Sequence, residues 1–247
     1  MATDRPTPLM AVLAFLATLA FVASPLVVPG FGGFDPYLFT VPQVNAAVQP
    51  AGWAFSIWGL IYLWLLVSAA AGLFLRAREV DWEPMRAPLT LSLAVGATWL
   101  PIAKISPVAA SVLIWVMLAA ALPALSRAPV LDRWLARGPV ALYSGWLTAA
   151  ACVSLGLLLA GYGLLDNIPA AIVALLLAMV LGSIVLWQLR DIAEYGIGII
   201  WALFGVIGHA WDQYPAVVAL SGLGIIVISA LSLRSGLRRE GPHPQVS

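Results

Sequence analysis

Long apolar runs constrain this sequence more than any motif in it. A helix needs about 20 consecutive, mostly apolar residues to cross the hydrocarbon core of a bilayer. Eight such segments follow one another along the 247 residues, mostly with short connections. The sequence therefore predicts an all-α polytopic membrane protein, a bundle of about eight transmembrane helices. The predicted spans are 9–28, 51–75, 87–105, 107–125, 139–161, 167–189, 192–211 and 215–235.

Composition excludes several classes of protein. Hydrophobic residues make up 62% of the chain and charged residues 9%, against about 45–50% and about 25% in soluble domains. The formal net charge of +1 leaves no basic surface for phosphates, so we expect no nucleic-acid partner. One cysteine, Cys152, cannot form an internal disulfide, and two histidines cannot build a multi-histidine metal site.

The basic residues predict an orientation. With the N-terminus in the cytoplasm, all 12 lysine and arginine residues except Lys104 fall in cytoplasmic segments. Cytoplasmic loops carry such an excess of positive charge, and moving the count by one span would abolish it. We therefore predict cytoplasmic N- and C-termini and a bacterial inner membrane as the location.

The first apolar segment has a second interpretation as a signal peptide. Arg5 precedes it, and residues 22–24 are the small-residue sequence Val-Ala-Ser. Pro25 follows at once and the apolar run continues to Val28, which favours a retained first span. Cleavage would leave seven spans.

Residues 29–50 form the one substantial loop on the predicted outer side. Four aromatic residues alternate there with glycines and prolines, and a solvated linker does not need them. Two interpretations stay open: a lid over the outer mouth of the bundle, or an aromatic belt in the headgroup layer. The four residues are Phe31, Phe34, Tyr37 and Phe39.

Aromatic residues are the distinctive content of the spans. Phe55, Trp58 and Tyr62 are three and four residues apart, so they share one helix face. Tyr143 and Trp146 share a face of the fifth span in the same way. A cavity open to the outer side, walled by such rings, would suit a flat hydrophobic ligand such as a tetrapyrrole, a sterol-like lipid or a carotenoid. Core packing is the alternative. Trp53 and Trp99 lie near the outer ends of the second and third spans.

Polar groups within the spans are few, which argues against a proton pump, an ion channel or an enzyme. His209 and Asp212 lie one turn apart near the outer end of the seventh span. Together with Tyr143 they are too sparse for a nucleophile, a base and an orienting group. We expect no catalytic residues and no metal ligands. A single axial haem contact from His209 stays open as an alternative to an interfacial histidine.

Three motifs resemble the TspO/MBR family, which comprises the tryptophan-rich sensory proteins and the mitochondrial translocator protein. Residues 50–62, PAGWAFSIWGLIY, resemble its second-helix signature, and residues 99–102, WLPI, resemble its third-helix Trp-x-Pro-Ile. Residues 143–146, YSGW, followed by small residues up to Ser154, resemble its fifth helix. The resemblance covers roughly residues 8–160, and residues 190–211 resemble the extension found in longer relatives.

The resemblance implies a division of the chain and a ligand class. The expected parts are a five-helix region at 1–161, a further three-helix membrane region at 162–235 and a polar cytoplasmic tail at 236–247. The family is associated with porphyrin, haem and sterol binding; the resemblance firmly implies no cofactor and leaves a bound tetrapyrrole, porphyrin or haem, as an open alternative. Gly96 and Ser154 replace family asparagines, which removes polar anchors. The expected ligand-binding residues are Trp53, Phe55, Trp58, Tyr62, Trp99, Pro101, Tyr143, Trp146 and Ser154.

Two functions remain open at this point. The first is a sensor or transporter that binds a flat hydrophobic ligand, with membrane lipid around it and a homodimer as a plausible assembly. The second is a structural or assembly subunit of a membrane complex with no ligand of its own. Many small residues, such as Gly205 and Gly208, help helices to pack and motivate the second function.

Overall fold

The structure, a computed structural model, describes residues 8–237. Over that range the chain forms eight α-helices and no β-strand, which confirms the predicted polytopic helical fold. Seven of these helices are long and apolar enough to cross a membrane; the third is as long but less apolar. The helices are α1 (Leu9–Val27), α2 (Ile57–Phe74), α3 (Glu83–Ala103), α4 (Pro107–Arg127), α5 (Gly138–Gly161), α6 (Asn167–Gln188), α7 (Ala193–Ala210) and α8 (Pro215–Leu237).

Short helical turns precede three of the helices and shift their beginnings from the predicted positions. A 3₁₀ turn at Gly52–Ser56 leads into α2, and a π-helical turn at Arg133–Arg137 leads into α5. The predicted third span starts at residue 87, but α3 begins at Glu83 after a 3₁₀ turn at Val80–Trp82. A charge inside this helix is tolerated because Arg86 donates to main-chain oxygens, as described below.

The two ends of the bundle differ in chemistry. One end, here called the arginine end, consists of the connections 75–82, 128–137 and 189–192. The opposite end, the lid end, consists of the connections 28–56, 104–106, 162–166 and 211–214. Lys104 lies at the lid end, and the arginines of the described connections lie at the arginine end. Arg5 and the predicted tail beyond Leu237 lie outside the described residues.

Buried arginines hold the arginine end together. Arg86 is 2% exposed and donates to the carbonyl oxygens of Arg76 (2.6 Å) and Ala77 (3.1 Å), just after α2. Arg137 is 4% exposed and donates to the carbonyl oxygens of Ala128 and Arg190, both at 2.8 Å. The last carbonyl groups of a helix lack intrahelical partners, so these guanidinium groups satisfy main-chain oxygens where α2, α4 and α6 end.

α5 lies at the centre of the bundle and is buried along most of its length. It packs against α4 on one side and against α6 and α7 on others. The α5–α7 contact is so close that a Cβ atom at Gly198 would lie 2.6 Å from the main-chain nitrogen of Trp146. A Cβ atom at Gly145 would overlap the carbonyl group of Tyr195. The predicted three-helix extension is therefore packed directly onto the predicted five-helix region.

The connection between α1 and α2 packs against the ends of other helices, the arrangement expected of a lid. Phe34 and Phe39 are buried, and Val41 donates its main-chain N–H to the carbonyl oxygen of Gly161 (2.7 Å). The side chain of Asn167 accepts from the main-chain N–H of Ala47 (2.8 Å). We call residues 28–50 the lid. Its second half is thus fixed to the ends of α5 and α6.

Candidate functional site

Aromatic rings from α1, α2 and α5 meet beneath the lid. Trp58 and Tyr62 stack with ring centroids 5.3 Å apart, as their spacing on one helix face predicts. The edge of Phe21 meets both, at 5.8 Å from Trp58 and 5.1 Å from Tyr62. Trp146 faces Trp58 edge-on at 6.0 Å and Phe55 at 6.1 Å. These are preferred geometries for aromatic pairs, so the cluster has a defined shape.

Two adjacent cavities open within this aromatic cluster. The larger has a volume of about 200 Å³ and lies between α1, α2, α3 and the start of the lid. Trp58, Tyr62 and Gly96 form part of its wall. Gly96 allows α1 to approach α3 closely here, because a Cβ atom at residue 96 would lie 2.6 Å from the ring of Phe21. The whole lining is Phe21, Pro25, Val28, Gly30, Phe31, Phe55, Trp58, Tyr62, Gly96, Trp99, Leu100, Ile114 and Met117.

The smaller cavity has a volume of about 60 Å³ and lies toward α5 and α7. Trp146 and Ser154 contribute to its wall from α5, and Ala202 contributes from α7. Its surface exposes only apolar atoms. The predicted three-helix extension therefore supplies part of the wall.

The polar groups of the cluster are mostly engaged within the protein. The indole N–H of Trp99 donates to the carbonyl oxygen of Ala110 (2.8 Å). The Tyr143 hydroxyl lies 2.8 Å from the Ser92 Oγ, which itself donates to the carbonyl oxygen of Met117. Because the Ser92 proton is used in that second bond, Tyr143 is the donor of the first. By contrast, the buried Nε1 of Trp146 has no hydrogen-bond partner among the described residues.

Most of the predicted ligand-binding residues surround these cavities, but three do not line them. Trp53 is half exposed and packs against Trp201 of α7, with ring centroids 5.3 Å apart. Pro101 is exposed on α3. Tyr143 lies behind Phe21, at 5.7 Å, and its hydroxyl is used in the bond to Ser92. The residues that do line a cavity are Phe55, Trp58, Tyr62, Trp99, Trp146 and Ser154.

The structure adds wall residues that are absent from the predicted set. Phe21 comes from α1, where an apolar run without polar contrast gives no sign of which face points inward. Phe31 and Phe34 come from the lid; their aromatic character is visible in the sequence, but their direction is not. Ile114 and Met117 come from α4, where an ordinary apolar pattern gives no signal of a site.

Charged groups that form ion pairs lie at the arginine end, away from both cavities. Arg76 donates to the Asp132 carboxylate at 2.9 Å, and the indole N–H of Trp82 donates to the same oxygen at 2.8 Å. These two donors hold the pKa of Asp132 below its ordinary value. Arg133 pairs with the buried Glu194 at 2.8 Å. Between residues 8 and 237, no group of three His, Cys, Asp or Glu side chains could hold a metal ion.

The chemistry of the cavities is therefore that of binding to apolar and aromatic surface. The walls offer ring faces and edges, together with the Gln49 amide and the buried Trp146 N–H, which has no partner among the described residues. No acid, base or nucleophile lines either cavity apart from the hydroxyl groups of Tyr62 and Ser154. Ser154 donates its proton to the carbonyl oxygen of Ala151 (2.8 Å).

Comparison with known proteins gives one finding. The family model described as TSPO-like protein matches residues 9–234, which include nearly all of the eight helices. No curated protein and no solved structure matches the chain at a significant level.

Proposed function

Because the chain belongs to the TSPO-like protein family, we propose that it binds a flat hydrophobic ligand in the aromatic cavities beneath the lid. The ligand class that the proposal names is a porphyrin, a haem or a sterol-like lipid, and the role is that of a sensor or transporter. The observation that carries the proposal is the pair of adjoining cavities with aromatic walls, built from α1, α2, α3, α5 and the lid.

The wall chemistry supports this ligand class over sugars, ions or phosphates. Apolar surface gains about 25 cal/mol for each Å² removed from water, and ring faces add offset or edge-on contacts to a flat ligand. A polar ligand would lose its hydration in these cavities and find few partners. The unpaired N–H of Trp146 would donate a hydrogen bond to one oxygen of an otherwise apolar molecule.

A haem or other tetrapyrrole would be held here by packing. The linings of the two cavities contain no histidine or cysteine, which are common axial ligands of haem iron. His209 lies on α7, outside both linings. We therefore propose that a tetrapyrrole would bind mainly through its ring faces, with Tyr62 and Met117 as the lining side chains of a type that ligates haem iron.

The membrane setting of the proposal rests on charge. The arginine end would face the cytoplasm of a bacterial inner membrane, with both termini on that side, because cytoplasmic loops are rich in arginine and lysine. The lid would then cover the cavities from the outer side. A homodimer, predicted from small-residue faces, is part of the proposal and is testable by the mass of the detergent-solubilised particle.

Fluorescence titration with protoporphyrin IX tests the proposal. The detergent-solubilised wild-type protein should show saturable tryptophan quenching at micromolar porphyrin. Trp146→Leu should weaken binding because it removes the ring that faces both Phe55 and Trp58. Trp211→Leu is the matched control: it also removes one tryptophan, but from an exposed position outside both cavity linings.

Each outcome separates the two candidate functions. Weaker binding in Trp146→Leu with unchanged binding in Trp211→Leu supports a porphyrin-sized site in the aromatic cluster. Linear quenching that is equal in all three proteins would indicate partitioning into detergent. That result would reject the ligand-binding proposal and favour the structural-subunit alternative.

A further inference from the structure

The two aromatic cavities share a wall of four residues, and the lid contributes one of them. Phe31, Phe55, Trp99 and Ile114 line both cavities. Of these, Phe55, Trp99 and Ile114 belong to the helices or to the turn that starts α2. Phe31 alone belongs to the lid. Its ring lies 5.0 Å from Trp99 and 6.1 Å from Phe55, measured between centroids, so it is placed between the rings of α2 and α3.

Because the two cavities are small, the position of the Phe31 ring matters for the size of ligand that can bind. Pockets for drug-sized ligands have volumes of about 300–1,000 Å³, and the two cavities have about 200 Å³ and about 60 Å³. Each alone suits a group of a few fused rings at most. A larger flat molecule would have to extend through the place that the Phe31 ring occupies.

The chain around Phe31 is weakly held, unlike the rest of the lid. Within the described chain, no hydrogen bond involves residues 29–34, whereas Val41, Asn45 and Ala47 are all hydrogen-bonded to helix ends. Gly30 has a φ of 74° and Gly33 a φ of 130°, values that residues other than glycine rarely adopt. Phe31 is half-buried and is held mainly by its ring contacts.

We propose that Phe31 determines the size of ligand that the site accepts. This inference rests on the proposed binding function and deepens it. With its ring in place, the site offers two separate chambers; with the ring displaced about the two glycines, the chambers join into one slot from Tyr62 to Ser154. A small ligand binds without moving Phe31. A tetrapyrrole binds only after the edge contacts of Phe31 with Trp99 and Phe55 are lost, so part of its binding energy is spent on that displacement.

The test compares two ligands of different size on the full-length protein in detergent. The small probe is 1-aminoanthracene, and the large probe is protoporphyrin IX. Phe31→Ala should lower the ratio of the porphyrin Kd to the aminoanthracene Kd about tenfold, because the ring contacts no longer have to be broken. A general loss of folded protein would affect both apparent Kd values alike, so it cancels in their ratio.

Two controls in the same lid make the result specific. Val28 lines only the larger cavity, so Val28→Ala enlarges one chamber without joining the two and should leave the ratio within about twofold of wild type. Tyr37 is 76% exposed, and Tyr37→Ala should leave both affinities unchanged.

The outcomes distinguish this inference from the function on which it rests. An unchanged ratio in Phe31→Ala, or an equal fall in Val28→Ala, overturns the role of Phe31 while aminoanthracene binding preserves the proposed site. Absence of saturable binding of either probe to every variant rejects both the site and its size determinant.

Discussion

The arginine end and the lid end of this bundle are held together by different kinds of side chain. At the arginine end, Arg86 and Arg137 are nearly inaccessible, and their guanidinium groups donate to carbonyl oxygens where helices terminate. At the lid end, aromatic rings meet edge-on and leave two cavities between them. Hydrogen bonds from buried arginines join the helix ends at the first, whereas edge-on ring contacts form the cavity walls at the second.

This contrast teaches where stability and binding reside. A buried guanidinium group that loses its acceptors, or main-chain oxygens that lose their donor, is costly in a low-dielectric interior. An edge-to-face ring contact contributes about 0.5–1.5 kcal/mol beyond the burial of area. When such a contact is lost, a ligand with similar rings can replace it. Substitutions at the arginine end should therefore lower stability, and substitutions at the lid end should alter binding.

The largest effect is expected at the arginine end, from Arg137→Leu. The change leaves the carbonyl oxygens of Ala128 and Arg190 without the donors that lie 2.8 Å away. We expect a loss of about 3 kcal/mol in stability, measured as a lower Tm by circular dichroism in detergent. Arg127→Leu, at an exposed position on the last turn of α4, is the control. Equal Tm values for the two variants would contradict the contrast between the ends.

A smaller effect is expected within the lid end and sharpens the comparison there. Trp99→Phe removes an N–H that donates to Ala110, so we expect a loss of about 1 kcal/mol. Trp146→Phe removes a buried N–H without a partner, so it should leave the Tm at or above that of wild type. Thermal unfolding of both variants checks the order. A lower Tm for Trp146→Phe than for Trp99→Phe would show that the Trp146 N–H is engaged.

The smallest effect is expected from Asp132→Asn on the solvent side of the arginine end. Arg76 and Trp82 hold the pKa of Asp132 below its ordinary value of about 3.9. A lowered folded-state pKa gives stability that is present above the unfolded pKa and is lost as the pH falls through the folded pKa. The wild-type protein should thus have a slightly higher Tm than Asp132→Asn at pH 7, and the gap should shrink below about pH 4. A gap that is constant with pH would exclude the carboxylate charge as its cause.

Some elements of the fold could be predicted from the sequence and others could not, and the reason in each case is physical. The spans were predictable because about 20 apolar residues have few alternatives to crossing a bilayer. The start of α3 was not, because the burial of Arg86 depends on how the preceding connection folds back to present its carbonyl oxygens. The family assignment, predicted from three motifs, is confirmed.

The candidate site was predictable only where helical spacing orients side chains. Residues 55, 58 and 62 lie three and four apart, and their rings do converge on the cavities. Trp53 is at the correct end of the bundle, but its position beside Trp201 depends on α7, which is distant in sequence. Phe31 lies in a glycine-rich segment without periodicity, so no sequence pattern sets its direction.

The start of α2 depends on α7 in a way that concerns the order of assembly. The main-chain N–H of Ala51 donates to the carbonyl oxygen of Gly205 (2.9 Å), and the indole N–H of Trp201 donates to the carbonyl oxygen of Ala54 (2.8 Å). Trp201 follows Ala54 by 147 residues, so it leaves the ribosome long after α2 has been synthesised. Ala202, on the wall of the smaller cavity, arrives with it. During biosynthesis the aromatic site is therefore completed only when the seventh helix has entered the bundle.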